Sequence, residues 1–320
     1  MSGEEDLRVG VVGVGHLGQH HARIYSAMEG CRLTWVADLD GERARSIASA
    51  SGAESTHDYR ALEGRVDAVS VAVPTESHAE VASFFLDRGV SVLVEKPMAP
   101  AIAEADALIE SAKASGAILG VGHTERFNPA VEALAARSRD PRFIESHRLG
   151  SFAPRSLDID VVLDLMIHDI DIALRLVGTG VRKLEAVGVA ALTDRVDIAN
   201  ARLEFDTGCV ANLTASRVSA ARTRKVRVFQ HDSYLSCDCG DRSLEHFMLD
   251  RSDPAARPRI VRDTVEIPED EPLRRELAAF VGAVRGGPAF PVDGTAGRAA
   301  LEVALSVIDA IDRGRAGARS

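Results

Sequence analysis

Three glycines near the start of the chain constrain its fold more than any other feature. They follow the apolar run Leu7–Val12 directly and open a helical pattern. In this context the first glycine makes a tight turn, the second lets the backbone approach a pyrophosphate, and the third lets helix and strand pack closely. The phosphate then lies at the positive N-terminus of the helix. The pattern predicts a dinucleotide-binding turn made of Gly13, Gly15, His16, Leu17 and Gly18.

An acidic residue lies where such a turn requires one. Asp38 ends the second apolar run, about 20 residues after the glycines, at the position of the acid that binds the adenosine ribose 2′-hydroxyl. Its carboxylate would repel a 2′-phosphate. The sequence therefore favours NAD over NADP.

Two further segments end strands of the same predicted sheet. Residues 73–75 follow the fourth strand, and Thr75 is predicted to cap the next helix. Residues 95–97, Glu-Lys-Pro, follow the apolar run 90–94. Open α/β sheets bind their ligands at the carboxyl edge of the strands. We therefore expect Lys96 to lie where a nicotinamide would meet its substrate.

The order of the predicted elements divides the chain into two parts. Up to residue 123, short apolar runs alternate with helical patterns, which is typical of a doubly wound parallel sheet. Beyond about residue 142, β-rich runs follow one another, which predicts an α+β domain on a large, mostly antiparallel sheet. We predict an α/β fold with domains at 1–123 and 124–295, and a C-terminal helix at 296–320 that packs back on the first domain. Residues 250–262 are predicted to form an exposed loop.

A helical pattern in the second part carries a carboxylate and an imidazole four residues apart, Asp164 and His168. On a helix these side chains share one face, and histidine is the most frequent general base. The spacing alone fits a first-turn carboxylate and a half-buried histidine somewhat better than a catalytic pair. Spacing by itself does not decide.

A metal site is the alternative for this acidic segment. Its carboxylates, with His168, could ligate a divalent ion, but no second histidine lies at ligand spacing. Cys237 and Cys239 have no further partners nearby and fit two buried thiols better than a metal site. The sequence therefore predicts no metal.

Composition limits the partners and the compartment. The net charge of −10 argues against a nucleic-acid or anionic-membrane surface, which would need a basic face. The first residues are acidic and lack the features of a secretory signal, and no apolar run approaches the roughly 20 residues of a membrane helix. Four cysteines imply no disulfide framework. We expect a cytoplasmic protein with a small-molecule ligand.

Taken together, the motifs resemble the glucose-fructose oxidoreductase/inositol dehydrogenase/MocA (GFO/IDH/MocA) family. They run in order through nearly the whole chain: the glycine turn, Asp38, Val73-Pro74-Thr75 with His78, Glu95-Lys96-Pro97, Arg126-Phe127-Asn128-Pro129, Asp164-x-x-x-His168 and Pro291-Val292-Asp293-Gly294. The glycine turn is shared with many dehydrogenases. Its combination with Glu-Lys-Pro and Asp-x-x-x-His is specific.

The resemblance implies a Rossmann domain, a second domain with a large open sheet, and assembly through that sheet into homodimers or homotetramers. It implies that Lys96 hydrogen-bonds the reacting hydroxyl of a sugar, that His168 acts as the base, and that Asp164 orients substrate or supports the other two. It adds cofactor contacts from Val73, Pro74, Thr75, His78, Glu95 and Lys96. Substrate contacts are implied for Lys96, Asn128, Arg155, Asp164 and His168.

Residues 122–129 and 164–171 are similar to the branch of the family that oxidises UDP-N-acetylglucosamine at its 3-hydroxyl. A UDP-sugar carries a pyrophosphate, which arginine forks suit. Solvated surface arginines fit the same sequence equally well. Residues 160–166 carry bulky side chains where many relatives carry glycines. We therefore expect the floor of the substrate pocket to differ from that of those relatives. The arginine candidates are Arg155, Arg217, Arg222 and Arg224.

Three other functions stay open from sequence. The same machinery would serve an inositol or free-sugar dehydrogenase. Some relatives cleave glycosides through transient oxidation with tightly held NAD. A non-catalytic NAD-binding regulator is disfavoured, because a sensor has no need of Lys96, Asp164 and His168 together.

Overall fold

The computed structural model describes residues 6–152, 159–252 and 257–317, and it divides into two compact units. The first comprises the chain up to Thr124 together with Glu271–Ala299. The second comprises Glu125–Asp270 and the chain from Ala300 onward.

The first unit is built on the predicted parallel sheet, with the strand order β3-β2-β1-β4-β5-β6. Both β4 and β5 are buried throughout, as expected when helices cover the two faces of a parallel sheet. The strands are β1 (Leu7–Val12), β2 (Cys31–Ala37), β3 (Glu54–Thr56), β4 (Ala68–Val71), β5 (Ser91–Glu95) and β6 (Leu119–Gly122). The helices between them are α1 (Gly18–Ser26), α2 (Gly41–Ser51), α3 (His78–Leu86) and α4 (Ile102–Ser115).

The strand order of this sheet reverses at β1, which has β2 on one side and β4 on the other. The crevice at the carboxyl ends of the strands beside such a reversal is the usual ligand site of a doubly wound sheet. The glycine turn follows β1, residues 72–75 follow β4, and Lys96 follows β5. The predicted cofactor segments therefore share one edge.

The second unit is built on an eight-stranded sheet with the order β14-β13-β12-β11-β7-β10-β9-β8. Strands β7 and β10 run parallel, and the other neighbours run antiparallel, so the mostly antiparallel sheet is confirmed. Its strands are β7 (Phe143–Leu149), β8 (Val181–Val189), β9 (Ile198–Phe205), β10 (Val210–Ser216), β11 (Thr223–Gln230), β12 (Ser233–Asp238), β13 (Ser243–Asp250) and β14 (Arg259–Val265). Two helices of this unit are α5 (Pro129–Arg137) and α6 (Ile167–Val177).

The two faces of the eight-stranded sheet differ. Alternate residues of its strands enter a core that includes α5 and α6, with Ala201, Leu213 and Ile170 at 0–1 % exposure. On the opposite face, aromatic rings pack side by side across β7, β11, β12 and β13, with centroids 5.7, 5.0 and 4.8 Å apart; the last two pairs are stacked. We call this the aromatic row; it consists of Phe143, Phe229, Tyr234 and Phe247.

The last two helices, α7 (Pro272–Val284) and α8 (Gly294–Gly317), give domain limits that differ from the predicted ranges. Helix α7 belongs to the first unit, and α8 begins there and belongs to the second unit from Ala300 onward. The apolar stripe of α8 explains this: Ala300, Ala304, Val307 and Ile311 are buried in the core of the second unit. The predicted packing of 296–320 on the first domain therefore does not describe most of this helix.

Residues 250–262 are not simply a loop, because β14 begins at Arg259. This edge strand is exposed up to Thr264 and carries charges on both faces, so its sequence lacks the alternation that marks a half-buried strand. Within the described ranges, no helix combines the length and apolar character needed to cross a membrane.

Candidate functional site

The turn after β1 has the geometry that its glycines predict. Gly13 has φ +82°, and a Cβ there would lie 2.7 Å from the carbonyl oxygen of Ala72. A Cβ at Gly18 would lie 1.8 Å from the carbonyl oxygen of Gly13. At Gly15, in contrast, a Cβ would meet no described protein atom within 4 Å. The fold itself does not require glycine there, which supports a ligand approaching this backbone.

Asp38 follows β2 and is held by several hydrogen bonds. It accepts from the backbone N–H of Val14 (2.8 Å) and Asp40 (2.9 Å). It also accepts from Nε and Nη2 of Arg43, at 3.2 and 2.8 Å. Burial acts to raise the pKa of Asp38, but the hydrogen bonds from Arg43 and the backbone outweigh it and leave the pKa below its usual value. A fixed anion therefore lies beside the glycine turn, as binding of a ribose 2′-hydroxyl requires.

His78 joins two loops at the carboxyl edge of the sheet. Its Nδ1 lies 2.8 Å from the carbonyl oxygen of Pro97, and its Nε2 lies 2.9 Å from that of Val73. The residue is 1 % exposed, and burial lowers its pKa. This geometry favours a bracing role for His78 over the direct cofactor contact expected from sequence. The prediction that Thr75 caps the next helix is wrong. Thr75 is the first residue of a 3₁₀ turn, and α3 begins only at His78, with Ser77 at the capping position.

The end of β5 is fixed around Lys96, which is half-buried. Oε1 of the buried Glu95 lies 3.1 Å from Nε2 of His21, and its Oε2 accepts from the backbone N–H of Lys96 at 3.3 Å. A Cβ at Gly122 would lie 2.8 Å from the same carboxylate, so only glycine leaves it room. The peptide bond from Lys96 to Pro97 is cis. Glu95 thus supports the backbone that carries Lys96.

Asp164 and His168 lie in the second unit, where a π-helical turn runs into α6. The turn spans Val162–Met166 and contains Asp164, and His168 is the second residue of α6. Both side chains are half-buried. The predicted helix is thus present, but it begins with a wider turn of a type that recurs at functional sites.

Other acidic residues of this segment are neutralised by arginines. Asp169 accepts from Nε and Nη2 of Arg148, at 2.8 and 3.0 Å. Asp171 accepts from Nε and Nη2 of Arg126, at 2.6 and 2.7 Å. Asp158, a further carboxylate of the predicted acidic segment, lies outside the described residues. Among the residues that the structure describes, no three His, Cys, Asp or Glu side chains converge to hold a metal ion.

Arg148 is the centre of a buried cluster that sequence analysis missed. Its Nη1 donates to Glu125 at 2.8 Å, in addition to the two bonds with Asp169. Burial alone would lower the pKa of Arg148, but the two carboxylates raise it well above its usual value. Burial acts to raise the pKa of Glu125, but the contact with Arg148 outweighs burial and lowers the pKa. One guanidinium group therefore holds both carboxylates.

Asn128 belongs to the same cluster. Its side chain donates to Glu125 (3.0 Å) and to the carbonyl oxygen of Cys239 (2.9 Å). Its Oδ1 accepts from the backbone N–H of Ala130 at 3.1 Å and so caps α5. With 2 % exposure, this residue is better explained as a structural cap than as the substrate contact that the resemblance implied.

A cleft of about 130 Å³ opens at the edge of the eight-stranded sheet beside Asp164. Three of the four arginines singled out from the sequence line it, and the fourth, Arg155, lies outside the described residues. We call this the arginine cleft; its lining includes Gly150, Ser151, Asp164, Arg217, Arg222 and Arg224.

Comparison with known proteins identifies both parts of the chain. Residues 7–123 match an oxidoreductase family with an NAD-binding Rossmann fold, and residues 130–233 match the GFO/IDH/MocA C-terminal domain. The chain is 39% identical to UDP-N-acetylglucosamine 3-dehydrogenase from Acidithiobacillus ferrooxidans, over 96% of this chain and 97% of that enzyme. A solved structure of that enzyme matches with a TM-score of 0.89, covering 97% of this chain and 99% of the other.

A second relative is scyllo-inositol 2-dehydrogenase (NAD(+)) from Bacillus subtilis, 31% identical over 68% of this chain and 69% of that enzyme. These matches confirm the family and the NAD cofactor predicted from the motifs. They agree with the room at Gly15 and with the fixed anion at Asp38. The chain belongs to the GFO/IDH/MocA family and is an NAD-dependent oxidoreductase.

Proposed function

We propose that the protein oxidises the 3-hydroxyl of UDP-N-acetylglucosamine, or of a closely related nucleotide sugar, with NAD as the hydride acceptor. The observation that carries this proposal is the 39% identity to UDP-N-acetylglucosamine 3-dehydrogenase over 96% of the chain. Inositol dehydrogenases match at lower identity, 31% over 68% of the chain in one case and 26% over 95% in another. We also propose that the enzyme works in the cytoplasm, in keeping with its four free cysteines.

In this proposal, Lys96 and His168 act on the same hydroxyl group. Lys96 donates a hydrogen bond to the hydroxyl oxygen and stabilises the negative charge that develops there. His168 accepts the hydroxyl proton as the hydride leaves carbon, and Asp164 orients the sugar. NAD, when bound, supplies the acceptor for the hydride. Glu95 and His78 act indirectly, by holding the loops that carry Lys96.

A substrate panel separates this function from its alternatives. We expect NADH to form with UDP-N-acetylglucosamine and not with inositol, free N-acetylglucosamine or a simple glycoside, with Lys96→Ala as the blank. A polyol dehydrogenase would produce NADH from inositol or the free sugar. A glycosidase would cleave the glycoside without net NADH. Absence of NADH with the nucleotide sugar, despite intact NAD binding, would contradict the proposal.

The contact between Asp38 and Arg43 predicts a change in cofactor preference. In Asp38→Ser, the 2′-hydroxyl of NADH loses a charged acceptor, and Arg43 is released from its carboxylate partner. Loss of a hydrogen bond to a charged group corresponds to roughly 10- to 100-fold weaker NADH binding. NADPH binding should strengthen, because Arg43 can then pair with the 2′-phosphate. Fluorescence titration with each reduced cofactor measures both changes.

The control for this prediction is the double variant Asp38→Ser/Arg43→Gln. It removes the same carboxylate but offers no cation to the 2′-phosphate, so the gain in NADPH affinity should disappear. An equal gain in the single and double variants would show that Arg43 plays no part.

We propose that the enzyme assembles as a homodimer or homotetramer through the open face of the eight-stranded sheet. The aromatic row supports this, because stacked rings on an uncovered sheet face are a common core for an interface.

In Tyr234→Glu, a charge enters this row, and light scattering should show a smaller assembly. Val261→Glu, at an exposed position on the opposite face of β14, should keep the wild-type mass. Unchanged mass in Tyr234→Glu would argue for a different interface.

A further inference from the structure

We propose that the arginine cleft is a diphosphate-binding subsite, in which Arg222 and Arg224 bind the phosphates of a nucleoside diphosphate. The inference rests on the proposed function, because it assigns a place to one part of the proposed substrate. It implies that the second unit binds nucleotide sugars, whose diphosphate is absent from free polyols and free sugars.

The register of the sheet brings the arginines together. Strand β7 lies between β10, which runs parallel to it, and β11, which runs antiparallel. The carboxyl ends of β7 and β10 and the start of β11 therefore share one edge. Arg148 is paired with Arg224 across β7 and β11. Arg217 directly follows the last residue of β10, and Arg222 directly precedes the first residue of β11.

Positive charge at this edge exceeds the carboxylates that could neutralise it. Arg148 already uses Asp169 and Glu125, both at 2.8 Å. Among the carboxylates that the structure describes, Arg224 approaches that same Glu125, at 3.7 Å. Arg222 is exposed and makes no ion pair with any carboxylate in the described ranges. Considering the described residues alone, Arg222 and, in part, Arg224 are therefore available to an anion from outside the chain.

The environment of Arg224 favours such an anion. Like charges on directly opposed strand residues destabilise a sheet, and Arg224 is opposed by Arg148. Burial, and then repulsion by Arg148, lowers the pKa of Arg224. A bound phosphate would offset both effects. The net charge of the chain is −10, so a cationic cleft is a local feature and not a reflection of composition.

The chemistry of the cleft fits a diphosphate joined to a sugar. Each guanidinium group presents a planar fork that matches two phosphate oxygens, and two neighbouring forks match two linked phosphates. Asp164 lines the same cleft. A sugar attached to a diphosphate bound there would therefore extend toward the carboxylate that we propose orients it.

Titration calorimetry with UDP on the full chain tests the subsite. We expect UDP to bind the wild-type protein, and Arg222→Gln and Arg224→Gln each to weaken binding by roughly 10- to 100-fold, as for hydrogen bonds to a charged group. The matched control is Arg139→Gln, at an exposed position before β7 and so at its opposite end, which should bind UDP normally. Inorganic pyrophosphate should compete with UDP, and uridine should not. Because Arg222 is exposed, its variant should melt at the wild-type temperature.

The subsite is overturned if wild-type protein does not bind UDP, if both variants bind it with wild-type affinity, or if uridine binds as well as UDP. Kinetics with UDP-N-acetylglucosamine separate this failure from failure of the proposed function. If the function holds and the subsite fails, NADH forms and both variants keep the wild-type KM. If the function fails and the subsite holds, no NADH forms, yet UDP binding still depends on Arg222 and Arg224. If both hold, KM rises in the variants while kcat changes little.

Discussion

Lys96→Ala is expected to lower kcat with UDP-N-acetylglucosamine by about 10³-fold, while NADH binding changes little. The variant removes the cation that we propose stabilises charge on the reacting oxygen, and such groups contribute roughly 10²- to 10³-fold. Loss of hydroxyl positioning for proton transfer adds to this. NADH absorbance under saturating substrate measures the rate, and fluorescence titration measures cofactor binding.

Two companion variants make this test specific. Lys113→Ala removes an exposed lysine of α4 and should keep the wild-type kcat. Glu95→Gln keeps the shape of the support under Lys96 but removes its charge, and we expect a smaller loss than for Lys96→Ala. If Lys96→Ala retained more than about a tenth of the wild-type kcat, a direct role of Lys96 in the chemistry would be excluded.

Arg148→Met is expected to lower the free energy of unfolding by about 3–5 kcal/mol, the usual cost of leaving buried carboxylates without their partner. Arg148 is 4 % exposed and bonds Asp169 and Glu125, so the variant leaves two acids facing an apolar side chain. Urea unfolding followed by far-UV circular dichroism measures the change. Tryptophan fluorescence is unsuitable, because the single tryptophan, Trp35, lies in the first unit.

The matched control for Arg148 is another arginine of the second unit in an exposed ion pair. Arg251 contacts Asp232 at 2.7 Å, with both side chains largely in solvent. Exposed pairs contribute less than about 1 kcal/mol, so Arg251→Met should unfold almost as the wild type does. Equal losses in the two variants would mean that burial of the Arg148 cluster adds no stability.

The first unit could be predicted well because its signals are local. A positive φ at Gly13 and the close approach at Gly18 depend on neighbouring backbone, and apolar runs mark buried parallel strands. Strand β7 has a weaker signal, because its buried face carries Ser146 and Arg148, so polarity does not alternate with burial. Helix α5 did have a signal, Asn128 as a cap followed by proline at the first helical turn.

Residues of the candidate site could be named from the sequence, but their individual roles could not. His78 and Asn128 belong to recognisable motifs, yet their bonds go to backbone carbonyls of Pro97 and Cys239, which only the tertiary structure brings near. The same holds for the arginine cleft. Its arginines are separate in sequence, and the pairing of β7 with β10 and β11 is what gathers them.

The charged edge strand β14 limits how copies of this protein can associate. An unpaired strand edge is a template on which strands of other chains can add, and this is a common route to fibrils. If a second copy paired with β14 in one strand direction, Arg259, Arg262 and Asp263 would lie against their own equivalents. In the other strand direction, these charged side chains would lose their contact with water. Edge-to-edge growth is therefore disfavoured. The β14 edge is thus protected, which leaves the face of the sheet for the assembly that we propose.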